Sequence, residues 1–159
     1  MIASDNWHII EPTFPIDKIH HKETVFTIGN GYLSSRGFFE EGYPGEIATT
    51  FVHGVFNAVP TFGTELVNFP NPFSLTILLG NEKFCLDQGN ILAYQRTLSL
   101  ENGLLTRCIT WESPGGKRAT FIFERFMDMR AIHHTALRFS ITDISFSGKV
   151  QIRADLQGV

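Results

Sequence analysis

Apolar and polar residues alternate with a period of two through most of the chain beyond residue 70. Leu75, Ile77 and Leu79 are spaced this way, and Gly80-Asn81 follows them as a turn. Segments 84–86 and 91–94 flank the turn-forming Asp87-Gln88-Gly89-Asn90. Segment 96–100 runs into Asn102-Gly103, a strong hairpin signal, and 104–112 leads out of it. Ser113-Pro114-Gly115-Gly116 then turns the chain into a strand over 119–127. Leu137, Phe139 and Ile141 alternate with Arg138 and Ser140. Val150, Ile152, Ala154 and Leu156 alternate with Gln151, Arg153 and Asp155. Such alternation predicts strands with one dry and one wetter face, and turns at this spacing predict a sandwich. One short helix is expected, capped by Asp17, passing His21, Glu23 and Phe26 and stopped by Gly29. The Pro-rich run 68–73 reads as a surface loop that enters the strand at Leu75. The apolar row at 150–156 calls for further partners, so the sheet is expected to be incomplete.

The segment 27–45, TIGNGYLSSRGFFEEGYPG, breaks this pattern. Gly29, Gly31, Gly37, Gly42 and Gly45 demand sharp turns or close approaches. Tyr32, Leu33, Phe38, Phe39 and Tyr43 stand between them, so the segment should be packed rather than act as a linker. Arg36 is expected to pair with Glu40 or Glu41, and Asn30 to adopt a left-handed conformation. Gly29-Asn30-Gly31 is no dinucleotide fingerprint, since no strand precedes it and no long helix follows.

Composition narrows the function. Charged residues make up 18% of the chain, against roughly 25% in ordinary soluble domains. A chain this short of charge is expected to have part of its surface covered by something else. A net charge of −3 and a pI near 6.0 give no basic field, which argues against a nucleic-acid partner. No apolar run approaches the roughly 20 residues of a membrane helix. MIASDNWHII has neither the basic nor the apolar region of a secretory signal, so a cytoplasmic location is expected, with Cys85 and Cys108 as buried free thiols.

Catalytic chemistry is thinly represented. Glycoside cleavage needs two positioned carboxyl groups. Glu40, Glu41, Glu46, Glu65 and Asp87 are available, but they read as solvated loop residues. Adjacent Glu40 and Glu41 should point apart on a regular backbone. The histidines His8, His20, His21, His53, His133 and His134 give no converging metal set, and no metal is expected. Trp7, Tyr32, Phe38, Phe39, Tyr43, Phe56, Phe62, Tyr94 and Trp111 could stack a sugar, though most aromatics should be core.

Several stretches together resemble the amino-terminal domain of glycoside hydrolase family 65, the disaccharide phosphorylases and related hydrolases. These are Glu23-Thr24-Val25-Phe26-Thr27-Ile28-Gly29-Asn30-Gly31-Tyr32-Leu33 with Arg36-Gly37, then Glu40-Glu41-Gly42-Tyr43-Pro44-Gly45, then Thr50-Phe51-Val52-His53-Gly54-Val55-Phe56. Glu65-Leu66-Val67-Asn68-Phe69-Pro70-Asn71-Pro72, Tyr94-Gln95-Arg96-Thr97-Leu98 with Gly103-Leu104-Leu105-Thr106-Arg107, and Glu124-Arg125-Phe126 follow in order. The resemblance implies an all-β, antiparallel super-sandwich of the galactose mutarotase-like type. It implies that residues 1–159 form part of a domain preceding a catalytic (α/α)6 barrel that this chain does not contain. The parent reaction would cleave an α-linked glucosyl disaccharide with inversion, with inorganic phosphate or water as acceptor and no other cofactor. On this reading the chain alone is inactive and carries no catalytic residue. Its partners are the barrel and, in the parent, a carbohydrate. Asn30, Gly31, Tyr32, Arg36, Glu40 and Glu41 are the expected domain-interface or active-site-rim residues. An exposed sheet edge would favour a homodimer. The alternatives are a stand-alone carbohydrate-binding module, a mutarotase-like epimerase using His53 and Glu65, and a purely structural role.

Overall fold

The computed structural model describes residues 3–14, 18–59 and 63–157. In chain order its strands are β1 (Ala3–Ser4), β2 (His8–Glu11), β3 (Ile28–Gly29), β4 (Leu33–Ser35), β5 (Thr50–Val52), β6 (Phe56–Val59), β7 (Gly63–Leu66), β8 (Asn71–Leu79), β9 (Glu82–Lys83), β10 (Asn90–Ser99), β11 (Leu105–Glu112), β12 (Arg118–Met127), β13 (Thr135–Thr142) and β14 (Val150–Gln157). One helix, α1 (Ile19–Val25), lies between β2 and β3. The main sheet has the order β1-β2-β10-β11-β12-β13 and is antiparallel throughout. A second sheet, β14-β8-β9, contributes the other half of the core, and β3-β4-β5 and β6-β7 are smaller. This is the antiparallel sandwich that the alternation predicts.

Period two explains the core. Ile109 and Trp111 of β11 and Ala119, Phe121 and Phe123 of β12 point inward and meet Leu75, Ile77 and Leu79 of β8. Phe84 fills the centre, its ring 4.3 Å from Phe121 and 5.3 Å from Trp111. A second cluster gathers Phe26, Ile28, Phe38, Phe73, Leu98, Leu105 and Met127. Full burial of each large side chain contributes roughly 1.5–3 kcal/mol.

The structure departs from the sequence pattern in four places. Segment 84–86 is not a strand, because it drops between the sheets to bury Phe84 and Leu86. Cys85 there is half-buried, as is Cys108, and both are free. The Pro-rich run is not a loop up to Leu75. Strand β8 already begins at Asn71, whose Oδ1 accepts from Phe73 N–H at 2.8 Å, and Phe73 is core. Helix α1 has Lys18 at its N-cap with no side-chain cap, and it ends at Phe26 rather than at Gly29; Asp17 lies outside the described residues. Strand β14 pairs with β8 in register, Ile152 opposite Ile77. Its apolar row stays largely open, with Ile152 52% and Leu156 73% exposed. No helix among the described residues is long and apolar enough to cross a membrane.

Candidate functional site: a loop seated on three buried arginines

The inner face of the main sheet is not apolar throughout. Register sets Glu11, Arg96, Arg107 and Phe123 side by side across β2, β10, β11 and β12. Arg125 stands in the next row, opposite Leu105. Arg96, Arg107 and Arg125 are 2%, 3% and 1% exposed, so all three are core residues. Desolvating an ion costs several kcal/mol unless charges and hydrogen bonds offset it. The segment after β4 supplies most of that compensation.

Five acceptors from residues 36–41 meet the three guanidinium groups. Arg96 Nη1 donates to Gly37 O at 2.6 Å. Arg125 Nη2 donates to Phe38 O at 2.8 Å and to Arg36 O at 3.3 Å. Arg107 forks between the two carboxylates, reaching Glu41 Oε1 at 2.7 Å and Glu40 Oε2 at 2.6 Å. Glu40 Oε1 also lies 3.5 Å from Arg125 Nη1. On the far side of Arg96, Glu11 pairs with it at 2.8 Å and with Lys22 of α1 at 2.5 Å. Tyr94 donates its hydroxyl to Glu11 at 2.8 Å.

Aromatic faces fill the remaining space around the cations. Arg96 lies 4.2 Å from the Phe26 ring centre and 5.2 Å from that of Phe39. Arg107 lies 4.8 Å from Phe39 and 4.3 Å from Phe123. Arg125 sits between Phe38 and Phe73, at 4.8 and 5.1 Å. Desolvated contacts of this kind are worth up to about 2 kcal/mol each.

The titration of this group follows its charges. Burial opposes ionisation of Glu40, but the cations of Arg107 and Arg125 outweigh it and hold its carboxyl below the ordinary value. Burial wins at Glu41, which is pushed up despite Arg107, with Glu40 adding to the shift. Burial also works against Arg107, yet Glu41 and Glu40 keep it firmly protonated. Burial pushes the Tyr94 hydroxyl up, so it remains a donor to Glu11.

Residues 30–32 form the turn between β3 and β4. Asn30 Oδ1 accepts from Tyr32 N–H and Leu33 N–H at 3.0 and 2.8 Å. Its Nδ2 donates to Asp128 O and Ile132 O at 2.7 and 2.9 Å. The Tyr32 ring meets His133 edge-on at 4.4 Å. Asn30 thus ties the loop tip to the β12–β13 turn. Gly37 permits the seating below, since a Cβ there would fall 2.6 Å from Phe26 Cβ.

The family profile of the glycosyl hydrolase family 65 N-terminal domain matches residues 9–159. The chain belongs to this family. A kojibiose phosphorylase of Halothermothrix orenii is 35% identical over 153 residues, which are 96% of this chain and 20% of that relative. An alpha,alpha-trehalose phosphorylase of Thermoanaerobacter brockii is 30% identical over 169 residues, covering 97% of this chain and 22% of the relative. The chain therefore spans about a fifth of the length of the curated relatives it matches. A solved structure described as a candidate kojibiose phosphorylase from the human microbiome superposes with a TM-score of 0.86 at 23% identity, over 95% of this chain and 21% of that one. That likeness shows the shared fold.

Within this family 65 domain the six loop residues divide into two groups. Asn30, Gly31 and Tyr32 form the outward tip, where Gly31 takes φ of +86°. Glu40 and Glu41 are buried. Arg36 does not pair with either of them. Its guanidinium donates to His20 O at 2.7 Å and Thr24 Oγ1 at 2.9 Å, and lies 3.6 Å from Glu23. Arg107 has taken Glu40 and Glu41 instead. Those two carboxylates converge rather than diverge, because a turn and not a regular strand carries them. Nor is Asn30 left-handed, since the positive φ falls on Gly31 and Asn30 acts through its side chain. His53 and Glu65 are both exposed and make no hydrogen bond to one another. Of the nine aromatics, Phe38, Phe39, Tyr94 and Trp111 are buried, so they form no sugar platform, and Phe62 lies outside the described residues.

Sequence reasoning missed the three arginines. The signal lay in the alternation itself: Arg107 falls in phase with Leu105, Ile109 and Trp111, and Arg125 with Phe121, Phe123 and Met127. A cation on the inward phase of a strand is a request for a buried partner.

Proposed function

We propose that this chain is the amino-terminal domain of an inverting glycoside phosphorylase or hydrolase that cleaves an α-linked glucosyl disaccharide. The domain supports the catalytic (α/α)6 barrel and contributes no catalytic group of its own. Inorganic phosphate is the co-substrate of the parent where the reaction is phosphorolysis, and the parent works in the cytoplasm, as a homodimer. The observation that carries this reading is the segment 30–41, whose tip has Gly31 exposed and Asn30 and Tyr32 half-buried while its base is held by three buried arginines. A segment fixed so firmly from below presents Asn30, Gly31 and Tyr32 in one set position, which suits the rim of a neighbouring domain. Arg36 fixes the same segment to α1, and Glu40 and Glu41 act through Arg107.

A domain exchange tests this. This chain would replace the homologous fifth of the Halothermothrix orenii kojibiose phosphorylase, and release of glucose 1-phosphate from kojibiose and phosphate would be followed. We expect the hybrid to be active, this chain alone to be inactive, and Tyr32→Ala in the hybrid to lower kcat/KM. A hybrid that folds, binds its two halves together and is unaffected by Tyr32→Ala and Arg36→Ala would reject the rim assignment.

A further inference from the structure

Strands β6 and β7 form a sheet of their own, joined by no ladder to either half of the sandwich among the described residues. Phe56 stands opposite Leu66, Asn57 opposite Glu65, Ala58 opposite Thr64 and Val59 opposite Gly63. Directly opposed side chains share a face, and successive ones alternate between faces. One face of the ribbon therefore carries Phe56, Ala58, Thr64 and Leu66, and the other carries Asn57 and Glu65. All six of these residues are exposed, Phe56 by 54% and Leu66 by 50%. A two-stranded ribbon is marginal in water by itself and needs a third strand or a packed face. This ribbon has an apolar face with nothing in the chain laid over it.

Its root, by contrast, is fixed. Asn68 Oδ1 accepts from Thr50 N–H at 3.0 Å, and Asn68 Nδ2 donates to Ala48 O at 3.0 Å. Phe69 N–H donates to Thr50 O at 2.8 Å. On the other leg His53 N–H donates to Tyr32 O at 2.8 Å, and Gly54, with φ of +81°, turns the chain out of β5. The ribbon thus leaves the body beside Tyr32, a residue of the rim assigned above.

The size of the face selects what covers it. Four side chains fall far short of the roughly 800 Å² per partner that a stable complex between free proteins buries. So small a face holds a neighbour tethered to it, whose effective concentration is on the order of millimolar. The chain spans 20% and 22% of the two phosphorylases compared above, so the polypeptide of such relatives supplies a tethered neighbour. No charged residue stands on the face, so the surface that matches it is apolar.

We propose that β6 and β7 form a docking arm whose Phe56 and Leu66 face is covered by an apolar patch of the catalytic barrel in the same polypeptide. The arm rests on the reading of the parent given above. Its root sets its direction, and the barrel supplies the packing that the ribbon lacks.

The hybrid with the Halothermothrix orenii phosphorylase tests it. With p-benzoylphenylalanine in place of Phe56, irradiation should join the arm to barrel peptides within one chain. A product of twice the chain mass would give the face to a second copy. That result, crosslinks confined to this domain, or no crosslink at all overturns the proposal. Hydrogen exchange reads the same contact with the native side chains. Peptides spanning 55–66 should exchange at least tenfold more slowly in the hybrid than in this chain alone. Phe56→Ser with Leu66→Ser should bring the hybrid back within twofold of the chain alone. Equal exchange in the unsubstituted hybrid and the chain alone also overturns it. Release of glucose 1-phosphate keeps the two readings apart. An inactive hybrid counts against the parent reaction, and an active hybrid with an uncovered arm counts against the arm alone.

Discussion

Arg96 and Arg107 stand directly opposite one another on β10 and β11, two buried cations at one register position. Like charges so placed ordinarily destabilise a sheet. Here the ring of Phe39 lies within reach of both guanidinium groups, at 5.2 and 4.8 Å. Anions flank the pair on both sides, Glu11 beyond Arg96 and Glu40 with Glu41 beyond Arg107. The aromatic ring attracts both cations and takes the place that water would hold at the surface.

Phe39→Leu should therefore cost more than lost volume alone. We expect a loss of about 2–4 kcal/mol in urea unfolding. A double-mutant cycle with Arg107→Met should show coupling of about 1 kcal/mol. Additive losses in that cycle would mean that the ring merely fills space.

Removing Arg107 alone leaves two adjacent buried carboxyl groups without their main cation. Arg107→Met should lose about 3–5 kcal/mol. Adding Glu40→Gln and Glu41→Gln should recover part of it, because the orphaned charges go with them. If the triple variant is no more stable than Arg107→Met, the cost lies in packing and not in uncompensated charge.

Acid should weaken the seat through Glu40. Its folded value lies below the ordinary 4.5, so the protein binds that proton more weakly folded than unfolded. The stabilisation is present above pH 4.5 and is lost as pH falls through the folded value. Glu46 has the opposite sign. Its raised value means stability present below pH 4.5 and lost as pH rises to about 8. Unfolding measured from pH 3 to 9 should show Glu40→Gln flattening the acid limb and Glu46→Gln flattening the limb above 4.5. Unchanged limbs in both variants would refute these assignments.

Asn30 serves two kinds of partner that only an amide can satisfy at once, two N–H donors and two carbonyl acceptors. Asn30→Asp turns a donor into an acceptor facing the carbonyls of Asp128 and Ile132. A loss of about 1–3 kcal/mol is expected, with faster hydrogen exchange in the β12–β13 turn. Unaltered exchange there would show that the tip and this turn are not coupled.

Much of the sandwich was legible because strands of one dry face announce themselves: β10 to β13 follow their alternation and the Asn102-Gly103 turn. The errors share one cause. Segment 84–86 looks like a strand because its residues are apolar, yet they are apolar because it fills the gap between sheets. Arg36, Glu40 and Glu41 look like a local ion pair because they are close in sequence. Arg107 is 66 positions from Glu41, and only the register of β10, β11 and β12 carries it there. Local patterns report which face of a strand is buried. They do not report which distant loop is laid across it.

Three of the five acceptors in the arginine seat are main-chain carbonyls, those of Arg36, Gly37 and Phe38. Every amino acid carries such a carbonyl. The seat thus grips the course of the chain more than its lettering, as a rail grips a carriage whatever its cargo. At Tyr32, whose main-chain N–H alone is held by Asn30, the side chain can change without loosening the base, so the chemistry presented there is free to diversify while its placement is inherited unchanged.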